Sequence, residues 1–142
     1  MQTRDAVTED LPALIAVDAV DQGNSERVEF LQAAIAAGEC IVAAQGRILL
    51  GYVVLNHAFY RNGFVPLLYV NAESRRRGVG MALLRAAEAR CRTEKLFTST
   101  NESNHPMRAL LKAAGYQPSG VIKNLDPGDP ELVYVRFRGG AV

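Results

Sequence analysis

The chain has 142 residues, 49% hydrophobic and 22% charged, with 16 Lys and Arg against 15 Asp and Glu, a formal net charge of +1. That is ordinary globular composition with enough chain for a core; it argues against a dedicated nucleic-acid binder, which carries a clear cationic excess, and no apolar run nears the ~20 residues of a membrane span. Two cysteines (Cys40, Cys91) and two histidines (His57, His105) offer neither a disulfide framework nor a metal cluster, and the first residues lack a signal-peptide layout. The expectation is one cytoplasmic domain over residues 1–142, with no metal, no membrane and no nucleic-acid partner.

In chain order, Thr3 to Val7 reads as a short strand. Thr8-Glu9-Asp10-Leu11-Pro12 reads as a helix start, with Thr8 as cap, acids in the first turn and a tolerated proline. Leu11, Leu14, Ile15 and Asp18 follow at helical spacing, and Asp21-Gln22-Gly23-Asn24 is a break. A second helix, capped by Ser25, turns Val28, Leu31 and Ile35 inward and stops near Gly38. Glu39 to Ala44 and Ile48 to Asn56 are strands joined through Gln45-Gly46-Arg47. Gly51 inside the second marks a bulge or a close backbone approach. His57 to Gly63 forms a longer aromatic turn, and Phe64 to Val70 the next strand.

After Val70 come a short polar link, then Arg75-Arg76-Arg77-Gly78-Val79-Gly80-Met81, then an apolar pattern with helical spacing. Strand, basic glycine turn and helix in that order make an anion site. The first N–H groups of a helix point outward along a favourable dipole. Gly78 can take a positive φ, so that successive N–H groups converge, and Gly80 removes a side chain from the approach. Arginine supplies planar, permanently charged donors for phosphate oxygens. A Walker loop needs Lys-Ser/Thr after its last glycine, and Met81-Ala82 stands there; a dinucleotide fingerprint needs a third glycine.

The following helix runs from Val79 to Arg92, burying Val79, Leu83, Ala86, Ala87 and Cys91, with Glu88 and Arg92 as an exposed pair four apart. Lys95 to Thr100 is a strand. Asn104 caps another helix, with Pro106 in its first turn, a core stripe of Met107, Leu110, Leu111 and Ala114, and Gly115 at its end. Ser119 to Asn124 and Leu132 to Phe137 are the last strands, flanking an acidic turn that carries Asp126, Asp129 and Glu131. Those acids are either a solvated turn or a field that draws a cationic amine.

Arg75 to Gly80 fits the pattern [Q/R]-x-x-G-x-[G/A], and Asn104 to Tyr116 adds a second matching segment. On these the chain resembles the GNAT superfamily of acyl-CoA-dependent N-acetyltransferases. The resemblance implies an α/β (α+β) GNAT fold: a central mixed, mostly antiparallel sheet of about seven strands with helices on both faces. It implies acetyl-CoA as co-substrate and an amine acceptor, a small molecule or a peptide, and it allows a homodimer. Pantetheine is then expected along Leu68, Tyr69 and Val70, with the Val70 N–H facing the thioester carbonyl. The pyrophosphate is expected at Arg75, Arg76, Arg77, Gly78, Val79, Gly80 and Met81, and further contacts from Asn104 and Asn101. Two departures stand out. Leu111 occupies the place of the usual tyrosine acid, and Pro66 and Leu67 that of the usual carboxylate base. The catalytic groups are therefore unassigned, with His57, Tyr60, Tyr69 and Tyr116 as substitutes to weigh. A non-catalytic CoA-binding module is the alternative reading.

Overall fold

A computed structural model describes residues 1–17 and 25–138 of the chain. The expected helical position Asp18 and the break at 21–24 lie outside the described residues. The strands are β1 (Gln2–Asp5), β2 (Cys40–Gln45), β3 (Ile48–Phe59), β4 (Asn62–Val70), β5 (Lys95–Asn101), β6 (Gln117–Ile122) and β7 (Glu131–Phe137). The helices are α1 (Leu11–Val17), α2 (Ser25–Ala36), α3 (Val79–Arg90) and α4 (His105–Ala113). The strands form one seven-stranded sheet of order β1-β2-β3-β4-β5-β7-β6. Pairing is antiparallel at β1/β2, β2/β3, β5/β7 and β6/β7, and parallel at β4/β5. The mixed, mostly antiparallel sheet expected from sequence is the one observed. No helix among the described residues is long and apolar enough to cross a membrane.

The described residues divide into two compact units, one of residues 1–17, 25–55 and 67–89, the other of 56–66 and 90–138. In the first, β2 is buried from Cys40 to Ala44 and β3 from Leu49 to Leu55, the mark of strand segments covered on both faces. Alternation sorts their residues. Cys40, Val42, Ala44, Tyr52 and Val54 pack with Leu14, Leu31 and Ala34 of α1 and α2, whereas Gly51, on the opposite face, lies against Leu83 of α3. The β2/β3 register slips between Ala43 and Ala44, which pair with Gly51 and Leu49 and leave Leu50 as the extra residue. The bulge and the close approach expected at Gly51 are both present. Thr8 does not cap the first helical segment. Asp10 does, accepting the Val7 N–H at 2.8 Å while paired with Arg4.

In the second unit the expected aromatic turn is much shorter. β3 continues to Phe59, and Tyr60 and Arg61 alone make the turn, with φ of 52° and 67°. Positive φ at both central positions is the usual geometry of a two-residue hairpin, here without its usual Asn-Gly. Phe59 is held by Phe64 and Phe97, whose ring centroids lie 4.9 and 5.0 Å away. α4 buries Leu111, and Ala114, just past its end, is buried too, with Arg136 donating to the Ala114 carbonyl. α3 stops at Arg90, two residues short of expectation. The Arg92 N–H donates instead to His57 Nε2, and Glu88 pairs with Arg85 one turn back.

Candidate active site

The first unit holds the end of β4 and everything that follows it up to α3. Asn71 closes the strand: its N–H donates to the Leu50 carbonyl at 2.9 Å, and its side chain accepts the Ser74 N–H at 2.9 Å. That capped 3-10 turn (Ala72–Ser74), with Ser74 buried, aims the chain at the arginines. Sequence reasoning passed over Asn71 and Ser74 as a polar link. The available signal was an asparagine three residues ahead of the serine, in a cap pattern.

Along β4 the peptide groups alternate. The Asn71 N–H and the Tyr69 carbonyl point toward β3, where the position of a Gly51 Cβ would lie only 2.5 Å from the Tyr69 oxygen. In a strand, the N–H and C=O of the residue between them point the other way. Val70 therefore presents both its N–H and its C=O on the edge away from β3. Arg75 meets that edge, its Nε donating to the Val70 oxygen at 3.1 Å and its guanidinium lying 5.8 Å from the Tyr69 ring centroid. Tyr69 in turn stacks on the buried Tyr52 at 6.2 Å, whose hydroxyl accepts from Arg27.

Beyond Arg75 the turn is built to gather N–H groups. Arg76 has φ of 64° and Gly78 of 82°, flanking Arg77, and backbones that alternate in hand form anion-binding concavities. The first intrahelical bond of α3 runs from the Ala82 N–H to the Gly78 oxygen at 3.0 Å. The N–H groups of Val79, Gly80 and Met81 precede it, so they have no intrahelical acceptor. No acid stands in the first turn to occupy the dipole's positive end. No hydrogen bond or ion pair among the described residues engages the side chains of Arg76 or Arg77, both exposed. The three arginines are thus unlike: one is folded onto β4, two stand at the mouth of the turn.

The second unit holds the asparagines. Asn104 caps α4, accepting the Met107 N–H at 3.2 Å, with Pro106 in the first turn as expected. Asn101, at the end of β5, gives its amide to Asp126 Oδ2 at 2.9 Å and to the Asp129 carbonyl at 3.2 Å. The acidic loop is thereby engaged: Asp129 accepts from the Ser103 N–H (3.0 Å) and hydroxyl (2.6 Å), and Glu131 from the Ser99 hydroxyl. Asp126 and Glu131 thus hold the end of β5, and Asp129 holds the β5–α4 loop. Asp129 also borders an open depression of about 560 Å³, lined with it by Glu102, Ser103, His105, Arg108 and Gly128.

The groups weighed as acid or base are scattered. His57 Nε2 is occupied as an acceptor, Tyr60 is 85% exposed at its turn, and Tyr116 is buried. Leu111, in the position of the family's tyrosine, is fully buried. Both thiols are buried, and burial, aided by the nearby Asp10 charge, pushes the Cys40 thiol up to about 12, so neither stands as an evident nucleophile.

Comparison with known proteins then decides the family. The model of the acetyltransferase (GNAT) family matches residues 7–116. This chain belongs to the GNAT family. A GNAT acetyltransferase from Bacillus cereus has 31% identity and a TM-score of 0.90, with 96% of each chain covered. The fold is shared with the Brucella melitensis ribosomal-protein-alanine N-acetyltransferase, at 21% identity and TM-score 0.74, covering 96% of this chain and 99% of that one. It is shared also with a Salmonella typhimurium protein solved with its cofactor acetyl-CoA, at 15% identity and TM-score 0.76, covering 96% and 92%. No curated protein matches by sequence. The matched range includes the arginine turn described above.

Proposed function

We propose that this GNAT chain acts as a single catalytic domain that transfers the acetyl group of acetyl-CoA to a primary amine by direct attack in a ternary complex. One observation carries the reading. The turn at Arg76–Met81 joins alternating backbone hand, three N–H groups ahead of the first helical bond and two exposed cations, which suits a pyrophosphate. Pantetheine then pairs along Leu68, Tyr69 and Val70, and Asn104 and Asn101 supply further contacts by family resemblance. The amine nitrogen attacks the thioester carbon, the C–S bond breaks, and CoA leaves as thiolate while the ammonium proton passes to water. The Val70 N–H, directed away from β3, donates to the oxygen on which charge develops, an interaction worth ~3 kcal/mol where such donors have been removed. Leu111 cannot protonate the thiolate, and a thioester is activated enough to react without that help.

Buried Leu111, with Pro66 and Leu67 in β4, favours a second reading, a CoA-binding module without turnover. Two measurements separate the readings. At a hundredfold excess over Kd, acetyl-CoA should stabilise the fold by about 2.7 kcal/mol, or roughly 5–10 °C in Tm. No shift at millimolar ligand rejects both readings. Thiol release with a panel of amines (polyamines, amino acids, aminoglycosides, peptide N-termini and lysines) identifies the acceptor, and a shift without release leaves the binding module.

A further inference from the structure

We propose that Arg75 is a positioning residue for acyl transfer and not a ligand of the pyrophosphate, although it opens the basic motif. The inference rests on the acetyl-CoA reading above and divides the motif between two tasks. Arg75 is engaged locally through one donor: its Nε–H is bound to the Val70 carbonyl at 3.1 Å, and its guanidinium carbon lies over the Tyr69 ring, 5.8 Å from the centroid. Val70 shows its N–H and its C=O on the same edge of β4. The N–H is the donor assigned to the thioester oxygen. The C=O beside it is a partial negative charge that opposes the oxyanion and, unbound, would leave the strand end free to twist. A guanidinium on that carbonyl answers both. It satisfies the acceptor with a charged donor, and it brings a positive charge to the edge where negative charge develops. The other attachments of the strand end lie on the β3 side, through Asn71 to Leu50 and through the tight seat of the Tyr69 oxygen at Gly51. Arg75 is an attachment on the opposite edge, the side assigned to the reaction. Arg76 and Arg77, with no such partners, remain for the phosphates.

The two tasks separate in a kinetic and salt-dependence experiment on the full chain. Acetyl-CoA Kd is measured at several salt concentrations, and kcat at saturating acetyl-CoA and amine, at a temperature well below every variant's Tm. Arg75→Ala should keep Kd within twofold of the parent and keep the slope of log Kd against log salt, because no phosphate contact is lost. Its kcat should fall about tenfold or more, since the donor is no longer held in place. Arg77→Ala should do the reverse, weakening binding with a shallower slope. Arg75→Lys keeps the charge but not the planar Nε–H donor, so its kcat should also fall; it decides the matter alone if Arg75→Ala does not fold. A shallower salt slope with weaker binding in Arg75→Ala, or parental kcat in Arg75→Lys, overturns the proposal. Absence of acetyl-CoA binding by the parent rejects the underlying reading instead, independently of any Arg75 variant.

Discussion

Gly51→Ala tests the seat of β4, the strand proposed to hold the thioester. The added methyl would lie 2.5 Å from the Tyr69 carbonyl oxygen, 3.1 Å from Val70 Cα and 3.3 Å from Leu83 Cδ1. Leu83 can yield by rotating. The carbonyl is backbone, and contact becomes ordinary only near 3.4 Å, so the end of β4 must retreat by about 0.9 Å from β3. Overpacking of this kind costs about 1–3 kcal/mol, roughly 2–12 °C in Tm for a chain of this length. The same peptide carries the Val70 N–H, and a misplacement near 1 Å costs on the order of a hundredfold in rate. Calorimetry gives the first quantity, and kcat at saturating substrates, taken well below Tm, gives the second. Gly120→Ala is the control, because its Cβ would meet nothing within 4 Å. A Gly51→Ala protein with Tm within 1 °C of the parent and kcat within twofold would refute the argument that this glycine sets the position of the strand.

Gly78→Ala meets no atom within 4 Å yet must hold φ of 82°, so calorimetry should show a loss of about 1–2 kcal/mol from backbone strain alone. Gly80→Val places a branched side chain among the turn's N–H groups, and titration should show acetyl-CoA affinity falling at least about tenfold while Tm changes by only a few degrees. Asp129→Asn and Ser103→Ala should each cost about 1 kcal/mol and be clearly non-additive in a double-mutant cycle, because the two residues share two hydrogen bonds. The Arg4 hydrogen bond, with lesser help from the Val7 N–H, holds the Asp10 carboxyl below its ordinary range. Its folded-state pKa is lowered, so its contribution is complete above the unfolded value near 3.9 and disappears as pH falls through the lower one. Asp10→Asn should therefore destabilise by about 0.5–1 kcal/mol at pH 7, and unfolding curves of parent and variant should converge in acid.

What was legible in the sequence was local. Asn104 as cap, Pro106 in the first turn, Leu111 in the core stripe and Gly51 at a close approach each follow from a few neighbouring residues, and each is present. The glycine turn between β4 and α3 was legible for the same reason. Three things were not legible. Tyr60 and Arg61 adopt positive φ because three phenylalanines hold the hairpin shut, which no turn signature announces. The acids at 126, 129 and 131 are engaged by residues 25 to 32 positions away, beyond any local pattern. Three consecutive arginines look alike as letters, and only the fold separates Arg75 from its neighbours.

One feature at the margin of the sheet bears on behaviour in concentrated solution. β6 is the last strand, and its six residues are exposed, with Val121 and Ile122 among them. An open apolar edge of that kind is a template on which further chains can add and aggregate. Here Pro118 withholds an N–H, and the register against β7 slips between Pro118 and Gly120, twisting the edge out of line. The opposite edge, β1, is four residues long and carries Arg4 and Asp5. Both margins therefore offer an incoming strand a broken or a charged ladder, which disfavours edge-to-edge addition of further chains.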